Sequence, residues 1–146
     1  MSSFIVALIS IATTVFSALS ISLIYWIISQ LRRPLVLVHN GYLIGPNTPC
    51  YFIKVINRSD KKDFTITHVW IKDNETNVSI INTQAPLPKK ISPSEIYETW
   101  INISEIKMSK EKVYENVRVR LSYGKLLKSK FNKGASVPGK GMISNN

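Results

Sequence analysis

Charge is missing from the start of the chain: between Met1 and Leu31 there is no Asp, Glu, Lys or Arg. Cysteine is nearly missing everywhere. Cys50 stands alone, so no intrachain disulfide can form, which suits a reducing cytosol. Histidine is scarce as well, and a metal site needs three or four converging ligands. His39, His68 and Cys50 show neither CxxC nor HxxxH spacing, and His68, on a strand, reads as a core or interface residue. No glycine-rich phosphate loop follows a strand pattern. The nine acids are scattered through turns rather than paired, which leaves no carboxylate couple for acid–base work. A Ser-His-Asp or Cys-His set can be drawn from these residues, as from almost any chain. The sequence therefore reads as a non-enzyme with no cofactor.

What the first stretch does contain is apolar length. Phe4 to Ser29 reads FIVALISIATTVFSALSISLIYWIIS, and a helix needs roughly 20 such residues to cross a hydrocarbon core. A transmembrane helix is expected over residues 4–29, ended by Arg32, Arg33 and Pro34. A cleaved signal peptide would have a basic start and an apolar stretch of about 7–15 residues, and neither is present. Tyr25 and Trp26 sit where headgroup-level aromatics belong. With Arg32 and Arg33 on one flank and no charged side chain on the other, the positive-inside rule puts the body in the cytosol, anchored to the plasma (inner) membrane. Ser10, Thr14, Ala18 and Ser22 fall at i+4 spacing, with Thr13 and Ser17 as a parallel row. Such rows let two spans approach and form a homo-oligomer; they equally suit hydroxyls bonded to their own helix backbone.

The remainder is basic. Lys and Arg number 19 against 9 Asp and Glu, for a net charge of +10. An anionic neighbour follows from that balance, either acidic lipid or nucleic acid; a genome rich in A and T gives the same excess of Lys, Asn and Ile. Four Asn-x-Ser/Thr triplets, at Asn57, Asn74, Asn77 and Asn102, arise readily by chance in such a chain.

Residues 30–33 are read as a linker too short to let the body roam, and 34–131 as one β domain of ordinary size. Strands are expected over 34–38, 50–56, 64–72, 78–81, 96–103, 117–121 and 126–131. Asn40-Gly41 reads as a tight turn, 84–90 as a proline-interrupted crossing and 104–115 as a short helix with Ser104 as a cap. Alternation over 64–72 places Phe64, Ile66, His68, Trp70 and Lys72 on one face. The candidate core is Trp70, Phe52, Ile53, Val55, Trp100, Val119 and Leu121, with either Phe52 or Ile53 turned out. Seven strands and little helix predict an all-β antiparallel sandwich of immunoglobulin-like topology, with a small barrel as the alternative. Residues 132–146 read as a flexible tail.

The segment His39-Asn40-Gly41-Tyr42-Leu43-Ile44-Gly45-Pro46-Asn47-Thr48-Pro49-Cys50-Tyr51-Phe52-Ile53 resembles a motif in a family of small uncharacterised bacterial proteins. Ile66 to Trp70, Pro86 to Lys89 and Glu98 to Trp100 extend the likeness, which covers about residues 35–131. The resemblance implies a bacterial source and no particular chemistry.

The closing hairpin carries the one candidate site. A three-residue loop, Ser122-Tyr123-Gly124, pairs Val119 with Leu127 and Arg118 with Lys128, and gives Gly124 the left-handed position. Arg118, Arg120, Lys128 and Lys130 then share an outer face, with no acid after Glu115. Like charges opposed across a sheet repel, so the face is expected to contact an anion: lipid headgroups, or a nucleotide. Two functions follow. One is an anchored interaction module that holds a cytosolic protein at the membrane. The other is a bacterial defence-type effector that senses an anionic nucleotide and whose spans assemble to perturb the bilayer.

Overall fold

A computed structural model describes residues 2–73 and 76–130. The chain divides into two compact units at Arg33/Pro34. The first is one helix, α1 (Ser2–Leu31), with its side chains exposed almost throughout, apolar enough over Ser3–Leu31 to cross a membrane. Gln30 and Leu31 are helical, so the connection expected over 30–33 starts at Arg32. The hydroxyls of Thr13 and Thr14 donate to the Ser10 carbonyl, Ser17 to Thr13 and Ser20 to Phe16. Those groups are satisfied within the helix.

The second unit is built of antiparallel sheets. Its strands are β1 (Leu35–Tyr42), β2 (Pro49–Ile56), β3 (Phe64–Lys72), β4 (Asn77–Ser79), β5 (Lys89–Ile91), β6 (Ile96–Asn102), β7 (Val117–Leu121) and β8 (Leu126–Lys128). One sheet has the order β1-β2-β6. The other runs β4-β3-β7-β8, with β5 also paired to β3. The sheets do not close into a barrel, which removes that alternative. Residues 104–115 form no single helix: a 3-10 turn covers Ile103–Glu105 and α2 covers Lys110–Asn116, with Ser109 rather than Ser104 at its N-cap.

Both sheets contribute to one core. Val36, Val38, Tyr51, Ile53, Val55, Tyr97 and Ile101 come from the smaller sheet, and Ile66, Val69, Ile71, Ile91, Val117, Val119, Leu121 and Leu127 from the larger. Of the expected core, Ile53, Val55, Val119 and Leu121 are buried. Phe52, Trp70 and Trp100 are not; each is half-buried on an outer face.

Two local devices explain the departures. Asn40 and Gly41 do not turn the chain: they remain in β1, opposite Tyr51 and Cys50. A Cβ on Gly41 would lie 3.1 Å from the Phe52 ring, so glycine serves close approach here rather than a turn. The turn comes later, where Leu43 N–H bonds the Thr48 carbonyl and Gly45 has φ +104°. On β3 the register shifts between Ile66 and His68. This bulge sets Thr67 and His68 against Arg120, and Thr67 Oγ1 donates to the Arg120 carbonyl at 3.1 Å. One extra residue reverses the faces beyond it. Phe64 and Ile66 point inward, then Val69 and Ile71, while Trp70 turns out.

Candidate anion-binding face

The bulge, having turned Trp70 outward, places it in a cross-strand row with basic residues. Trp70 pairs with Arg118, and Arg118 with Lys128. The next row is His68, Arg120 and Leu126. The hairpin register is the one expected, with Val119 opposite Leu127, Leu121 N–H bonded to the Lys125 carbonyl, and Gly124 at φ +84°.

Two of the cations, Arg118 and Arg120, are held by neighbouring groups. Arg118 Nη1 donates to the Glu115 and Val117 carbonyls at 2.7 and 3.0 Å, which fixes the guanidinium beside the ladder. Arg120 lies over the Trp70 ring, 5.9 Å from its centroid, the geometry of a cation–π contact. Among the described residues Arg118, Arg120 and Lys128 make no ion pair. Lys130 falls outside this ladder. Its N–H bonds the Val36 carbonyl at 3.2 Å, and Ser129 N–H bonds that of Val117. The strand therefore leaves β7 and brings the β8 side of the basic face to the start of β1. Three of the four expected anion contacts thus share one surface, and the fourth marks where the chain crosses to the other sheet.

Trp70 was missed as a site residue because strict alternation assigns it to the core. The local pattern of Phe64 to Lys72 carries no signal of the extra residue.

The remaining candidates are dispersed. His39 stacks on Phe52, with centroids 5.4 Å apart, on the outer face of the smaller sheet. Burial, and then the charge of Lys54, hold its pKa below the ordinary imidazole value. Cys50 is fully buried, within hydrogen-bond reach of Asn102 Oδ1 at 3.2 Å, and burial raises its thiol pKa. His68 Nδ1 meets Thr67 Oγ1 at 3.0 Å on the larger sheet. Two open clefts of about 350 and 400 Å³ flank Ser79–Thr83, one reaching Trp100 and Glu105 and the other His68 and Leu87. Asn57 is buried, its amide held by the carbonyls of Lys62, Ile91 and Ser92, so that triplet offers no exposed acceptor. Arg32 and Arg33 lie in the first unit, before Pro34. Residues 131–146 and Asn74 lie outside the described residues. No family model, curated protein or solved structure matches this chain.

Proposed function

We propose that the chain is a single-pass membrane-anchored interaction module whose basic sheet face binds the anionic headgroups of the membrane that holds it. The observation that carries this reading is the ladder Trp70–Arg118–Lys128, flanked by Arg120 and free of carboxylates at its paired positions. Arg and Lys beside Trp suit a headgroup layer, where the ring sits at the interface and each basic residue contributes about 1 kcal/mol. Connectivity supports it too, because Lys130 bonds to Val36, three residues after Arg33. The body is then cytosolic and the anchor lies in the plasma membrane, as the Arg32–Arg33 flank argues.

The strand order also supports an immunoglobulin-like sandwich. The first, second and sixth strands share one sheet and the third, seventh and eighth the other, the Greek-key division of that fold. Trp70 departs from it by facing outward.

The β unit contains its whole core, so residues 34–146 can be tested as a soluble domain. Wild type should co-sediment with vesicles containing phosphatidylserine at low salt. Arg118→Ser, Arg120→Ser and Lys128→Ser combined should bind at least about tenfold less, since three cations near the surface are removed. Equal binding by both, or none by wild type, removes this face. Release by a soluble nucleotide at concentrations where sulfate does not compete would point to the effector reading instead.

A further inference from the structure

The outer face of the β1-β2-β6 sheet presents three cross-strand rows of different chemistry. Leu35, Ile56 and Ile96 make an apolar row; Leu37, Lys54 and Glu98 make the central one; His39, Phe52 and Trp100 make an aromatic one. Lys54 Nζ lies 2.9 Å from a Glu98 carboxylate oxygen, and Phe52 lies 6.2 Å from Trp100, centroid to centroid. An antiparallel sheet with one face in water normally carries polar side chains there. Those three rows have two, plus a histidine, with Asn102 paired beyond them, and Ile96 is 54% exposed.

We propose that this face packs against the same face of a second copy of the chain. The pattern is self-complementary. A two-fold axis parallel to the strands and midway between β2 and β6 exchanges those strands between copies. It sets Lys54 against the partner's Glu98, Ile96 against the partner's Ile56, and Trp100 against the partner's Phe52. Each row thus meets its own kind, and the central row meets opposite charge. An isologous contact requires this property. The basic face of the other sheet lacks it, since Arg118, Arg120 and Lys128 would oppose each other or their copies.

Strand spacing gives the β2-β6 patch an extent on the order of 10 by 20 Å, well below the roughly 800 Å² per partner of a standard interface. Contact of that size holds when both chains are confined to one membrane, where anchoring raises their effective concentration. The chain's own apolar helix supplies that confinement.

The experiment uses full-length chains carrying two different tags, co-expressed and purified in lipid nanodiscs after membrane crosslinking. Wild-type copies should co-purify. Lys54→Glu should leave only acids in the central pair and Glu98→Lys only bases, so each alone should self-associate about tenfold less, as opposed like charges do at an interface. Co-expressed together, the two variants restore opposite charge across the axis, and recovery should approach wild type. Thermal melts confirm that each variant folds. Independently, Ile96→Cys on one copy and Ile56→Cys on the other should crosslink with a short reagent, while the buried Cys50 stays silent. Wild-type copies that do not co-purify overturn the proposal. So does association unchanged by either charge variant, which would leave the span alone holding the copies. A mixed pair of folded variants no better than either alone, or absence of the cysteine crosslink, also overturns it.

Discussion

Asn57 ties three segments together. Its amide reaches the carbonyls of Lys62, Ile91 and Ser92, its Oδ1 accepts Ser59 N–H at 3.0 Å, and its backbone pairs with Glu95 and Ser94. Asn57→Ala leaves a buried carbonyl unpaired and should cost about 2–3 kcal/mol in the soluble domain, read by urea unfolding. Ile53 is fully buried between the sheets, and Ile53→Ala should cost about 2–5 kcal/mol. Trp70→Ala, on the outer face, should cost less than Ile53→Ala; the opposite ranking would return Trp70 to the core. His39 supplies a pH dependence. Its folded pKa is depressed, first by burial and then by Lys54, so the fold favours the neutral ring. Its contribution is complete above the ordinary value near 6.5 and is lost as pH falls through the lowered one. The melting temperature should fall more between pH 7 and 5 in wild type than in His39→Phe.

At the scale of an element, the β3 bulge decides what the larger sheet shows. The alternation of FTITHVWIK is visible in the sequence, but the extra residue is not, because a bulge is specified by partner strands and by the Thr67–Arg120 hydrogen bond rather than by local pattern. Deleting Thr67 would remove the extra residue, and strict alternation would then keep Phe64, Ile66, Val69 and Ile71 together on the core face. The isolated domain carrying that deletion should still melt cooperatively, at a lower temperature because the Thr67–Arg120 hydrogen bond is gone; loss of the cooperative melt would show that the bulge does more than set the phase. The β7-β8 hairpin was legible for the opposite reason. Its register follows from one glycine and from keeping Val119 and Leu127 on the same face, both of which are local facts. Gly124→Val, at φ +84°, should destabilise by about 1–2 kcal/mol without changing the register, since only the turn residue is strained.

For the whole molecule, the uncharged run before Arg32 dominates. A cytosolic body predicts that a C-terminal alkaline phosphatase fusion is inactive in cells and a green fluorescent protein fusion bright. The reverse pattern would put the β unit on the other side and overturn the proposal that it meets acidic inner-leaflet lipid.

The sequence by itself determined the apolar helix, most of the strand segments and the closing register, because each depends on length, composition or a short-range period. Only the tertiary structure decided which side of a sheet faces the core. Gly41 and Phe52, or Thr67 and Arg120, meet across strands that are distant in sequence, and each such contact shifts or preserves a phase that no local window reports. The outward turn of Trp70 follows from the bulge, and Phe52 and Trp100 face outward because Ile53, Thr99 and Ile101 beside them face the core. These orientations give the larger sheet a basic face with Trp70 in its ladder, and the smaller sheet a face on which Lys54 and Glu98 stand side by side.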